Sequence, residues 1–273
     1  MNKIFLSLGL MSGTSMDGID ISIIKSDGEQ FFEIIDNMYI KYDKQLKLKL
    51  KRIVKLCVTK KKFIKLSKEI DSLEKEITLR HVKACKLIVN KNKNIKLDLI
   101  GFHGQTLLHK PQAGYSIQIG DSQLLSKLTN TTVISNFRKN DILNGGQGAP
   151  LASLYHKLIM TKIKLKLPSA IINIGGISNI TYMDKNDKIL SFDTGPGNYL
   201  IDEWIRNNSK LEFDSGGSIA KSGQIDKKIL NKLLNNSYYK AIVDSKHFSG
   251  NLNYTEMLIK GKSKKEILIT SYI

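Results

Sequence analysis

Cysteine is scarce in this chain of 273 residues: there are two, Cys57 and Cys85. They form no Cys-x-x-Cys pair and have no histidine at metal-ligand spacing. That argues against a zinc site or a disulfide framework and predicts small buried thiols in a reducing cytoplasm. Long apolar runs are missing too. No stretch reaches the roughly 18 residues that read as a membrane span, so no membrane partner is expected. The apolar start, Met1 to Gly9, lacks a small-residue cleavage site and predicts a short strand running into a glycine turn. Acidic residues are few beside basic ones, 25 against 43, giving a net charge of +18. The lysines are spread along the whole chain, and the densest runs, Lys47 to Arg52 and Lys60 to Lys62, read as solvated helix faces. No zinc finger, basic zipper or aromatic RNA-binding signature accompanies them, so no nucleic-acid partner is expected. A Gly-Lys-Ser/Thr phosphate loop is also lacking.

What is present is a 41% hydrophobic share, enough for a real core. The opening reads as strand, turn, strand: Ile4 to Leu10, then Ser12 to Gly18, then Ile19 to Lys25. A strand-like stretch follows at 30–42. Apolar residues at helical spacing between Leu46 and Asn90 predict two helices. Leu97 to Gly104 reads as a strand into a loop, and Ser116 to Gly120 as a strand. Asp121 is placed to N-cap a helix. Thr131 to Phe137 is a strand, and Pro150 is placed as the first residue of a helix running to Met160. The opening pattern then returns: strand Ser169 to Ile174, glycine turn Gly175 to Asn179, strand Ile180 to Met183. A third strand, Ile189 to Phe192, ends at Asp193-Thr194-Gly195-Pro196-Gly197-Asn198. This weak repeat predicts an α/β protein of two related lobes, 1–165 and 166–273, with ligands meeting in a cleft between them.

Several segments carry polar chemistry. In Gly13-Thr14-Ser15-Met16-Asp17-Gly18 the glycines let backbone approach a phosphate, and consecutive N–H groups suit an anion. Asp17 or Asp20 could hold a Mg²⁺-bound water. Taken alone, that segment is better explained as a plain hairpin turn. His103-Gly104-Gln105-Thr106 follows a strand end, where ligand sites of open α/β sheets cluster, and its polar groups suit sugar hydroxyls. Arg138 could clamp a carboxylate or pair with Asp141. The glycine-rich loop Asn144 to Pro150 leads into a helix N-terminus, a ready site for polar ligands. Asp193, on a rigid turn at a strand end, could act as a general base.

Together the segments Gly9 to Asp20, Gly101 to Pro111, Gln118 to Asp121, Phe137 to Leu151, Asn173 to Thr181 and Phe192 to Asn198 resemble the anhydro-N-acetylmuramic acid kinases, which have the two-lobed actin-like ATPase/sugar kinase fold. The resemblance implies duplicated mixed-sheet lobes. It implies an ATP- and Mg²⁺-dependent bacterial cytoplasmic kinase of cell-wall (murein) recycling. Such an enzyme opens the 1,6-anhydro ring of its sugar with water and phosphorylates the 6-oxygen, giving N-acetylmuramic acid 6-phosphate. By the resemblance, Asp193 is the base that activates water. Gly13, Thr14, Ser15, Met16, Asp17, Gly18, Ile19 and Asp20 hold the ATP phosphates, with Asp17 toward Mg²⁺ through water. His103, Gln105, Arg138 and Asp141 line the sugar site, and a homodimer is the family expectation. Relatives look longer, so the second lobe is expected to be incomplete at Ile273, without a glycine-rich loop near the adenosine. The alternative that follows is a catalytically inactive truncated remnant that binds sugar without turnover.

Overall fold

A computed structural model describes residues 2–13, 15–93 and 95–235 and the backbone of 267–270. The chain divides into two compact units, Met1–Leu151 and Ala152–Ile273. The division falls ahead of the lobe boundary expected at 165, because the helix just after Leu151 packs on strands of the second unit.

In the first unit, β1 (Phe5–Ser12), β2 (Gly18–Ser26) and β3 (Phe32–Lys41) form an antiparallel meander. Three helices follow, not the two expected: α1 (Lys44–Leu56), α2 (Lys60–Lys65) and α3 (Ser67–Lys91). Thr59, whose side chain accepts from Lys62 N, starts α2, and the extra break comes at Leu66, which ends α2 and precedes α3. The lysines of α1 face solvent while Leu46, Leu50 and Ile53, at i, i+4 and i+7, are buried. β4 (Leu99–Lys110) then enters parallel to β1, and β5 (Tyr115–Ile119) folds back antiparallel on its second half. The strand therefore runs straight through His103 to Gln105, where a loop was expected. Gly104 permits this: its φ is +71°, and a Cβ there would meet the Ile119 carbonyl carbon at 3.2 Å.

Asp121 caps α4 (Ser122–Thr129) as expected, accepting from Leu124 N at 2.9 Å. β6 (Thr132–Ser135) pairs parallel with the first half of β4, and a short helix, α5 (Phe137–Leu143), follows it. The first core joins Leu8, Leu10, Ile19, Ile21, Ile23, Ile100 and Phe102 of the sheet to apolar faces of α1 and α3, including Ile77 and Ile88. Cys57 and Cys85 lie buried in that core as free thiols.

The second unit opens with α6 (Ser153–Lys162), three residues beyond Pro150, so that proline precedes the helix instead of starting it. β7 (Ser169–Ile174), β8 (Ile177–Met183) and β9 (Ile189–Pro196) form another antiparallel meander, and β10 (Ile267–Thr270) pairs parallel with β7. Helices α7 (Tyr199–Asn208), α8 (Ser218–Ser222) and α9 (Lys227–Leu234) follow β9. The arrangement repeats the first unit: three meandering strands with a later strand laid parallel against the first. The α/β class and the mixed, duplicated sheets stand as expected. Among the described residues, no helix is long and apolar enough to cross a membrane.

Candidate active site

The turn between β1 and β2 holds the candidate phosphate residues. Thr14 lies outside the described residues. Met16 N–H closes the turn on Gly13 O at 3.1 Å, with Met16 at φ 54°, and Ser15 Oγ donates to Asp17 Oδ1 at 2.6 Å. Gly18, Ile19 and Asp20 already belong to β2, and Ile19 is buried in the core, so its side chain serves packing. Partial burial, and secondarily the charge of Asp17, hold the Asp20 carboxyl above the ordinary carboxylate range. Asp17, just before β2, and Asp20, within it, lie close enough for the charge of one to act on the other, and a divalent cation would relieve that repulsion. Mg²⁺ asks for one or two carboxylates, with waters and phosphate oxygens completing its shell.

Beneath this turn lies a buried polar chain. Tyr42, just past β3, donates from its hydroxyl to Ser12 Oγ at 3.0 Å. Ser12 donates to Gln105 Oε1 at 2.6 Å, and Gln105 Nε2 donates to Gly13 O at 3.1 Å. The Tyr42 main-chain N–H also donates to Asp17 O at 2.7 Å. Gln105 is wholly buried. Burial pushes the Tyr42 hydroxyl up to about 12, so it stays a donor at neutral pH.

The other three candidates gather around Gly148. Arg138 and Asp141 stand one turn apart on α5. Arg138 Nη1 donates to Gly148 O at 2.5 Å, and Gly148 N–H donates to Asp141 Oδ2 at 2.6 Å. The two side chains thus meet at one residue of the glycine-rich loop. Arg138 Nε also donates to His103 Nε2 at 2.8 Å, which leaves the imidazole proton on Nδ1, where it is given to Gly104 O. Burial, then the Arg138 charge, bring the His103 pKa down to about 4. His103, Gly104, Gln118, Ser122, Ser135 and Asn136 border a small cavity of about 30 Å³.

In the second unit Asp193 sits exposed in β9. Its cross-strand neighbour in β8 is Asn179, which in turn pairs with Asn173 of β7. The three side chains share a sheet face, with neighbouring Cβ atoms about 4.5–5.5 Å apart. Asn173 Oδ1 and Asn179 Oδ1 are buried with no hydrogen-bond partner. The turn after β7 and the end of β9 are laced by main-chain bonds: Gly197 N–H to Gly176 O at 2.9 Å, and Asn198 N–H to Gly175 O at 2.8 Å.

The sequence profile of the anhydro-N-acetylmuramic acid kinases matches residues 5–264. The chain belongs to that family. The anhydro-N-acetylmuramic acid kinase of Pelagibacter ubique is 45% identical over 238 residues, 86% of this chain and 63% of that protein. The Rhizobium etli enzyme of the same name is 37% identical over 246 residues, 89% of this chain and 66% of that protein. The chain thus spans a little under two thirds of the length of these anhydro-N-acetylmuramic acid kinases. Among solved structures, a Ppx/GppA family protein of Aquifex aeolicus aligns over 74% of this chain and 54% of its own, with 12% identity and a TM-score of 0.35. That likeness is too loose to bear on function.

Sequence reasoning missed Ser12, Tyr42 and Gly148. Ser12 borders the phosphate turn, and Gly148 lies in a segment already marked as glycine-rich, so both carried a signal. Tyr42 carried none: it looked like the end of a strand, and only the register of β1 against β4 brings Gln105 to the same spot.

Proposed function

We propose that the protein is a cytoplasmic ATP-dependent kinase of the two-lobed actin-like fold. Its substrate is 1,6-anhydro-N-acetylmuramic acid and its product N-acetylmuramic acid 6-phosphate. The observation that carries this reading is the family match over residues 5–264, which spans both the phosphate turn and Asp193.

The chemistry follows from the groups on hand. Asp193, exposed within β9, accepts a proton from water. The water oxygen bonds to the anomeric carbon, the bond from that carbon to the 6-oxygen breaks, and the freed oxygen takes the γ-phosphoryl group of ATP, leaving ADP. The main chain of Gly13 to Asp20 cradles the phosphates, with the Thr14 and Ser15 hydroxyls as further donors. Asp17 or Asp20 would hold Mg²⁺ through water, and there the ion would supply positive charge against the phosphates. His103, Arg138 and Asp141 line the sugar site, and the Arg138 guanidinium suits the lactyl carboxylate.

The test is direct. The 273-residue chain is incubated with Mg-ATP and the anhydro sugar, and ADP and sugar phosphate are measured together. Equal yields of both support the reading. Asp193→Asn should lose about 10²–10⁴-fold in turnover while still binding ATP. Sugar binding with no phosphorylated product, at high protein concentration, would overturn it in favour of an inactive sugar binder.

A further inference from the structure

The buried chain under the phosphate turn reaches further than its fold. It runs Tyr42 O–H to Ser12 Oγ, Ser12 O–H to Gln105 Oε1, and Gln105 Nε2–H to Gly13 O. Every link has one direction. Gly13 O and Thr106 O, the acceptors of Gln105 Nε2, cannot donate, so the amide nitrogen must face them and the amide oxygen must face Ser12. Ser12 Oγ also lies 3.2 Å from Gly18 O, so the chain touches both ends of the turn. Tyr42 adds a second grip through its main-chain N–H on Asp17 O. The side chains of Ser12, Tyr42 and Gln105 are almost completely buried, with residue exposures of 1%, 4% and 0%. Buried polar groups of this kind are costly when unpaired and rigid when all are paired.

We infer that Gln105 is a positioning residue for ATP: its amide, oriented by Ser12 and Tyr42, fixes the Gly13 peptide and so the direction in which the turn presents its N–H groups to phosphate. This rests on the reading of the turn as the ATP phosphate site. It moves Gln105 from the sugar side, where the sequence placed it, to the nucleotide side. Glutamine suits the post because one side chain must accept from Ser12 and donate to Gly13 at once. Asparagine is a methylene shorter, and an ionised glutamate has no proton to give.

That last property supplies the test. Gln105→Glu keeps shape and volume. Ionised, its carboxylate faces the carbonyl oxygens of Gly13 and Thr106. Protonated, it accepts from Ser12 and donates to Gly13, as glutamine does. Burial raises the pKa of such a carboxyl. The titratable groups tied to it are Tyr42, held at about 12 and acted on by the charges of Asp17 and Arg80, and His103 of the same strand, held at about 4 beside the Arg138 charge. Neither Tyr42 nor His103 titrates between pH 5.5 and pH 8.

Calorimetric titration of Mg-ATP and, separately, of the anhydro sugar should show ATP binding by Gln105→Glu weakened about ten- to hundredfold at pH 8. It should recover toward the unsubstituted chain by pH 5.5, with sugar affinity unchanged throughout. Tyr42→Phe removes only the head of the chain and should weaken ATP several-fold without touching the sugar, so the point stays testable if the glutamate variant does not fold. ATP affinity equal to that of the unsubstituted chain at both pH values, or an equal loss for ATP and sugar, would overturn the role of Gln105 alone. Failure of the unsubstituted chain to bind Mg-ATP would overturn the phosphate-site reading and this inference with it.

Discussion

Arg138 donates to His103 Nε2 at 2.8 Å and so forces the imidazole to be neutral, with its one proton on Nδ1. A second buried histidine, His81 on α3, donates from Nδ1 to Ile77 O at 2.9 Å and stacks edge-on against Phe102, with ring centroids 5.0 Å apart. Burial lowers both pKa values to about 4. An unfolded histidine titrates near 6.5. Between these values the unfolded chain binds more protons than the folded one. The stability from the neutral histidines is therefore complete above about pH 6.5 and is lost as pH falls toward 4. Urea midpoints should be level from pH 8 to 7 and decline between pH 6.5 and 5, above the range of ordinary carboxylates. The full loss should approach about 3 kcal/mol per histidine. His103→Gln should make the decline shallower; a flat profile to pH 5 would contradict the assignment.

The same guanidinium sets a second expectation. Arg138 serves His103 through Nε and Gly148 O through Nη1, a fork that a lysine ammonium cannot reproduce. Arg138→Lys should therefore loosen the glycine-rich loop, which at Gly148 would lose the bond to its carbonyl and keep only that from its N–H to Asp141. Steady-state kinetics should show kcat/KM for the sugar lowered about ten- to hundredfold with the KM for ATP unchanged. An equal rise in both KM values would place Arg138 outside the sugar side.

Much of this fold was legible because local signals agreed with it. Asp121 reads as an N-cap and accepts from Leu124. Leu50 and Ile53 mark the buried stripe of α1. The returning strand-glycine-strand pattern at Ser169 announces the second meander. The misses share a cause. The helix α5 is seven residues long and begins after Asn136 in the left-handed region, too short for periodicity to reveal. The passage of β4 through His103 depends on the φ of Gly104 and on pairing with β5. Gln105 meets Ser12 across 93 positions of sequence, through a parallel register that no local pattern encodes. Residue types pointed to the candidate site, while the partners of each residue are set by tertiary packing.

Glycine at 197 is expected to be indispensable where glycine at 175 is not. A Cβ on Gly197 would overlap the Gly175 carbonyl oxygen and lie 2.8 Å from Ser178 Oγ, whereas one on Gly175 meets its nearest atom, Ile177 O, at an ordinary 3.7 Å. Gly197→Ala must push apart the turn after β7 and the end of β9, next to Asp193. It should cost about 2 kcal/mol or more and most of the turnover. Gly175→Ala should stay within about 1 kcal/mol of the parent by chemical denaturation. Equal effects of the two substitutions would show that the interlock is not rigid.

Asp20 should trade stability against metal binding. Its carboxyl is held above the ordinary range by partial burial and by Asp17. A folded-state pKa above the unfolded one means a contribution to stability that is present at low pH and lost as pH rises through the folded value. Once ionised, Asp20 is therefore a net burden on the ligand-free chain. Asp20→Asn should raise stability at neutral pH, by less than about 1 kcal/mol because the carboxyl is only partly buried and solvent screens its charge. The burden has a use if Mg²⁺ sits between the two acids. The same variant should then need about tenfold more Mg²⁺ for half-maximal ATP binding, and Asp17→Asn should behave alike in that assay. Magnesium titrations at fixed ATP, beside thermal melts without nucleotide, would read both effects. A variant that is more stable but keeps its magnesium requirement would show that the acids repel one another without holding the ion.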